Sequence, residues 1–391
     1  MSKYEDILSM MQQVIAPVER EKVSLDRALN RVLREDIVAD IDMPPFDKAA
    51  MDGYACRTCD LGNIMEVVER IPAGFVPTST IGPNQCARIM TGAIVPQGAD
   101  MVFMLEDTEE IDAKHVRCKN PNSKKNICYR GEDYRKGDIL VPSGIKIRPM
   151  HIGILASAGY AEVWVSKRPS VAIMATGSEL VEPYQLPTGA QIRNSNSPML
   201  QALLAELSIS ANYEGIISDE MDIIRSKTEK ALIQNDVLLL TGGASKGDFD
   251  YTVDVLQYFG FDMLCTTTGL QPGNPMIFAK KEKKFCFGLS GNPVSSFVQF
   301  ELFVRPFFFW LCGCSELPQW QKAILKNDFS RKKAGRLGIV PVKFNADYSV
   351  ETLDFHGSAH LNALVNAQAL MQIPESVTSI KTGEQVYVRP L

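Results

Sequence analysis

Apolar residues recur at helical spacing at the start of the chain. Ile7, Met10, Met11, Val14 and Ile15 predict an amphipathic helix over residues 3–15, stopped by Pro17. Ser24 is placed to cap a second helix carrying Leu25, Ala28, Leu29 and Val32. Residues 40–46 contain two prolines and predict an extended linker, because proline disfavours helix at the residue before it. From 47 to 137 the pattern becomes short β-prone runs at 65–71, 88–90, 101–105 and 115–118, separated by Gly, Pro, Asn and Asp. This predicts a β-rich module. Residues 138–167 resume a strand–helix pattern, with Pro149 near the start of a helix over 150–158. They group with residues 1–46 as a composite domain.

From 168 to 318, strands alternate with helices. Runs at 171–175, 237–241 and 285–289 read as strands buried on both faces, and 198–207, 223–233, 252–259 and 294–304 as helices. Such alternation predicts βαβ units on a parallel sheet. Beyond 318 the short strands return, at 339–344, 350–353, 370–373 and 386–388, and predict a second β-rich module over 319–391. The expected fold class is therefore multidomain α/β plus β.

Composition changes this picture little. At 391 residues there is room for two to four domains, and 45% hydrophobic with 22% charged residues is ordinary for a globular protein. A net charge of −5 without a long basic run argues against nucleic-acid binding, so an anionic ligand needs local donors. Nine scattered cysteines lack zinc-finger spacing and read as reduced thiols of a cytoplasmic protein. The most apolar segment, 297–312, contains Glu301, Arg305 and Pro306 and makes a poor membrane span.

The candidate chemistry lies where the buried strands end. Strand 171–175 runs into Thr176-Gly-Ser-Glu179, strand 237–241 into Gly242-Gly243-Ala-Ser245-Lys246-Gly-Asp248-Phe-Asp250, and strand 285–289 into Ser290-Gly291-Asn292-Pro293. Pro272-Gly273-Asn-Pro275 precedes the last strand. In a parallel sheet the carboxyl ends share one edge, so these turns are expected to converge on one crevice. Glycine turns at helix starts present backbone N–H groups to phosphate. Glu179, Asp248 and Asp250 are hard oxygen ligands suited to Mg²⁺ beside phosphate oxygens. Each of these acids is equally suited to capping a helix. Outside this segment, Ala50-Met-Asp52-Gly-Tyr54 and Arg88-Ile-Met-Thr91-Gly are glycine-bounded turns. His356 and His360 are four apart with no evident acidic partner in the sequence, which makes a weak zinc signal.

In order, Ala50-Met-Asp-Gly-Tyr-Ala55, Arg88-Ile-Met-Thr-Gly-Ala93, Arg130-Gly-Glu-Asp133, Ala175-Thr-Gly-Ser-Glu-Leu180, Asn194-Ser-Asn196, the 241–251 turn and Gly288-Leu-Ser-Gly-Asn-Pro-Val-Ser295 resemble the molybdopterin molybdenumtransferases. That family includes the C-terminal domain of gephyrin. The resemblance implies a homodimer of four-domain subunits, with an α/β pterin-binding domain similar to the partner adenylyltransferase. It also implies Mg²⁺-assisted insertion of molybdate into adenylylated molybdopterin, with release of AMP. Glu179 and Asp250 are implied in Mg²⁺ and phosphate chemistry, with Asp219 a weaker match and Asp248 left to cap the helix. Gly242, Gly243, Ser245, Lys246, Pro272, Gly273, Gly291, Asn292 and Pro293 are implied as a cradle for the pterin or its phosphates. Asp52, Thr91 and Asp133 match active-site positions expected to reach the cleft from the partner subunit. Residues 265–275 hold no lysine where the family commonly has them, leaving Lys246 as the cation of the central turn. That departure keeps a second expectation open, a pterin-binding scaffold without metal insertion.

Overall fold

The computed structural model describes residues 3–120, 122–218, 220–242 and 251–391. The chain forms two compact units. One comprises residues 1–35, 143–148 and 162–391, the other residues 36–142 and 149–161.

The first unit is built on a six-stranded sheet in the order Ala211–Ile217, Val171–Thr176, Val237–Thr241, Lys284–Leu289, Ile277–Lys281, Asp262–Cys265. Its buried strands show why they carry no polar alternation. Val171, Ile173, Val237, Leu239, Phe285 and Phe287 face one core with Leu200, Leu204, Val298 and Phe307. Ala172, Met174, Leu238, Leu240 and Cys286 face another with Ile224, Ala231, Val255 and Leu256. Successive residues point to opposite faces, and helices cover both.

The first four strands are parallel, as the alternation predicts, but the last two run antiparallel to their neighbours. The sheet is therefore mixed. Its hairpin turns through Glu282 and Lys283, with Glu282 at φ 53°. The Lys-Glu-Lys-Lys turn lacks the Asn-Gly or Gly that marks such a hairpin in a sequence.

Two further readings are corrected. The second helix is a single turn, Leu25–Ala28, and Ser24 makes no side-chain cap. Ser24 ends the strand Arg20–Ser24, which pairs with Glu162–Ser166. The helix expected over 294–304 begins at Pro293 and continues through a π-turn, Phe300–Val304, into Arg305–Leu311. Pro306 is tolerated because it lies in the first turn after the π-turn. There Glu301, 3% exposed, accepts two hydrogen bonds from Arg305 and lies 3.5 Å from Arg389. The first helix forms as expected, over Lys3–Val14, and buries Tyr4, Ile7 and Met11 in the core beneath the main sheet.

The C-terminal residues form a second sheet, in the order Leu270–Gln271, Leu337–Phe344, Ala369–Ile373, Gln385–Pro390, Gln321–Ile324. Its first strand comes from the α/β region and pairs in parallel with Leu337 and Gly338. The Pro272 turn is thereby drawn between the two sheets. The second unit holds its own six-stranded sheet, Met101–Met104, Gly53–Cys56, Gln85–Ile89, Ile64–Ile71, His115–Cys118, Thr108–Glu110. Among the described residues, no helix is long and apolar enough to cross a membrane.

Candidate functional site

The strand ends of the first unit open on a crevice of about 1110 Å³. Its α/β wall carries Thr176 and Glu179, Thr241 and Gly242, Ser290 to Pro293, and Pro272 to Pro275. The opposite wall is the C-terminal sheet, with Arg331, Arg336, His356 and Ser358. The ends of the parallel strands at Thr176, Thr241 and Leu289 thus meet at one edge, as expected, with the Pro272 turn beside them.

Two buried amides hold the floor. Asn196 Nδ2 donates to Thr241 Oγ1 at 2.8 Å, to the Ser290 carbonyl at 3.2 Å and to the Gly291 carbonyl at 2.9 Å. Gln299 accepts from Ser290 N at 2.8 Å and donates to the carbonyls of Gly273 and Pro275 at 3.0 and 2.6 Å. The last two glycine-bounded turns are thus tied to each other and to the central strand. Gln299 lies in the middle of an apolar helix and carries no sequence signal of this role.

Glycine is required at Gly242. Its φ is 90°, and a Cβ there would lie 2.1 Å from the Thr176 carbonyl oxygen. Among the described residues, a Cβ at Gly291 would meet only Gly242 Cα, at 3.5 Å. Thr176 Oγ1 and Asn196 Oδ1 are buried here without a hydrogen-bond partner among the described residues. Glu179 is the carboxylate on the described lining, and it folds over Gly177, where a Cβ would come within 2.7 Å of Oε2.

Besides Glu179, the described lining carries Arg193, Arg331, Arg336 and His356. Arg331 is a structural cation whose Nε and both terminal nitrogens donate to the carbonyls of Val377, Arg336, Pro374 and Glu375. Arg336 is exposed, and Arg193 donates Nε to the Gln185 carbonyl at 3.0 Å. His356 has an acidic neighbour that the sequence reading did not find: its Nε2 lies 3.2 Å from Asp354 Oδ1, while its ring stacks on His360 at 5.0 Å. Among the described residues no cluster of three or more His, Cys, Asp or Glu is placed to hold a metal.

Gly243, Ser245, Lys246, Asp248, Asp250 and Asp219 lie outside the described residues. In the second unit, Asp52 Oδ1 accepts from Thr91 N and Thr91 Oγ1, both at 2.7 Å. The Thr91 backbone N–H, then its hydroxyl, hold the Asp52 carboxyl below the usual aspartate range. Asp133 is exposed beside Tyr134, Asp138 and Ile154 along a groove of about 730 Å³.

Three family descriptions match the chain: "MoeA N-terminal region (domain I and II)" over residues 2–159, "Probable molybdopterin binding domain" over 172–309, and "MoeA C-terminal region (domain IV)" over 322–391. The chain is 36% identical to the molybdopterin molybdenumtransferase of Staphylococcus aureus strain Mu50, covering 93% of this chain and 89% of that protein. The chain belongs to the molybdopterin molybdenumtransferase family. A second family member, from Staphylococcus epidermidis strain RP62A, is 35% identical, with 98% and 94% of the two chains covered. The crystal structure of the molybdopterin biosynthesis moeA protein from Pyrococcus horikoshii OT3 matches with a TM-score of 0.85 at 31% identity, covering 99% of each chain. Within this family frame, the crevice lies between the parts of the chain matched as the molybdopterin-binding domain and as domain IV.

Proposed function

We propose that this protein is an enzyme that transfers molybdenum from molybdate to molybdopterin in molybdenum cofactor biosynthesis. The observation carrying this reading is the crevice, where four glycine- or proline-bounded turns meet a wall bearing Arg336 and His356. Bare backbone at Gly242 and Gly291 suits close approach of a planar ring or phosphate, and Asn196 Oδ1, without a partner among the described residues, is an acceptor suited to a ring N–H. The cations of the opposite wall suit an oxyanion.

The substrate is taken to be adenylylated molybdopterin, whose phosphoanhydride is hydrolysed with release of AMP. Mg²⁺ takes few protein carboxylates and completes its shell with phosphate oxygens and water, and that fits a crevice wall with Glu179 as its described acid. Glu179 would hold the ion with Asp250, and the ion would supply charge neutralisation at the phosphate. The residues themselves bind and orient: the amide clasps fix the turns, and Arg193 and Arg336 meet negative charge.

Four structural domains, with boundaries at 1–46 plus 138–167, 47–137, 168–318 and 319–391, form one subunit of a homodimer. Asp52, Thr91 and Asp133 of one subunit then complete the crevice of the other. The adenylylated pterin comes from a partner adenylyltransferase. Nine free thiols suit the reducing cytoplasm.

Purified protein incubated with adenylylated molybdopterin is expected to release AMP when Mg²⁺ and molybdate are added. Substrate that binds without molybdate- or tungstate-stimulated release contradicts the reading and favours the scaffold alternative.

A further inference from the structure

Residues 180–193 leave the crevice wall and return to it. Leu180–Val181 pairs in parallel with Ile192–Arg193, Ile192 N donates to the Glu179 carbonyl at 2.8 Å, and Asn194 N donates to the Val181 carbonyl at 2.9 Å. One leg of this excursion therefore fixes Glu179, and the other delivers Arg193 and Asn194 to the same wall. Its tip projects outward, with Tyr184 and Leu186 at 85% and 80% exposure. A projecting segment of this kind has little apolar burial to hold it.

Among the described residues, a phenol on the edge strand Ala211–Ile217 ties the excursion to the main sheet. Tyr213 Oη donates to Glu182 Oε1 at 2.9 Å and accepts from Asn194 Nδ2 at 2.8 Å, so it grips both legs. Asn194 in turn accepts from Ser197 N at 3.1 Å, at the start of the helix that carries the Asn196 clasp. A continuous chain of hydrogen bonds thus runs from the excursion to the helix that holds the floor. Burial, and then the Glu182 carboxylate, push the phenol up to about 12, so it remains a donor at neutral pH. The ring itself packs against the main core, independently of its hydroxyl.

We propose that Tyr213 is a positioning residue that, by joining Glu182 to Asn194, sets Glu179 and Arg193 on the crevice wall for the phosphate of a nucleotide or pterin ligand. This rests on the reading of the crevice given above. Tyr213→Phe keeps the ring and removes the grip, whereas Glu182→Gln keeps an acceptor for the hydroxyl.

The test uses the full-length chain with AMP and Mg²⁺ as the probe. Loss of one to two hydrogen bonds predicts about tenfold faster amide exchange in a 179–194 peptide of Tyr213→Phe, and about tenfold weaker AMP binding by calorimetry. Exchange in the 171–176 strand is expected to stay at the wild-type rate, and the single variant Glu182→Gln, which keeps an acceptor for the hydroxyl, to leave both readouts within about twofold of wild type. Unchanged 179–194 exchange, or faster exchange with wild-type AMP affinity, overturns the positioning role alone. Wild-type protein that binds neither AMP nor molybdate overturns the functional reading and the positioning role with it.

Discussion

Gln299 accepts a hydrogen bond from Ser290 N at 2.8 Å and so ties the Ser290 turn to the helix that follows it. The same side chain donates to the carbonyls of Gly273 and Pro275. Gln299→Ala leaves a buried N–H and two carbonyls without this partner. It is expected to cost about 2–4 kcal/mol, read from urea unfolding. AMP binding should weaken in the same variant, because the Ser290 and Pro272 turns lose their common anchor.

Asn196 sets a sharper test through its orientation. Its Nδ2 faces the carbonyls of Ser290 and Gly291. Asn196→Asp would place a carboxylate oxygen against those two acceptors. It is expected to destabilise the protein more than Asn196→Ala, with the difference growing as pH rises above about 4. Thermal unfolding of both variants at pH 4 and pH 8 checks the order.

Much of this arrangement was legible in the sequence because it depends on local pattern. The buried strands follow from continuous apolar runs such as Val237–Thr241, and the converging turns follow from parallel strands ending in glycine. The antiparallel edge was not legible, because Glu282 occupies a positive φ without a glycine signal. Nor were Gln299 and Tyr213. A glutamine among apolar residues or a tyrosine in a half-buried strand gains its meaning only from partners many positions away. Ser24 misled for the opposite reason: a good cap residue was recruited by strand pairing with Glu162.

Gly177 links backbone conformation to the one described acid of the crevice. Its φ of 146° is disfavoured for other residues, and a Cβ would lie within 2.7 Å of the Glu179 carboxylate. Gly177→Ala is expected to cost about 1–3 kcal/mol and to raise the Mg²⁺ concentration needed for half-maximal AMP release. Gly383→Ala, also at positive φ but with open space around it, should show backbone strain with no change in Mg²⁺ dependence.

Asp52 gives a pH signature. Its folded pKa lies below the unfolded value because Thr91 donates to the carboxylate, so the contribution to stability is present above about pH 4 and is lost as pH falls through the folded pKa. Thr91→Ala removes the hydroxyl and keeps the backbone N–H. The Asp52 carboxyl is therefore expected to titrate higher than in the wild type, though still below an ordinary aspartate, by carbon-detected NMR.

Glu301 anchors two arginines in the core, Arg305 and Arg389. Glu301→Ala leaves both without their shared carboxylate and is expected to cost about 3–5 kcal/mol in chemical denaturation. Double replacement of Glu301 and Arg389 by apolar residues should recover part of that loss.

The central claim is that the crevice between the α/β strand ends and the C-terminal sheet holds the reacting ligands. A crystal soaked with molybdate, AMP and Mg²⁺ tests it most directly. The account predicts AMP density against the Gly242 and Gly291 turns, and an oxyanion between those turns and the wall carrying Arg336 and His356. Ordered AMP and molybdate bound elsewhere on the protein, with this crevice empty, would contradict it.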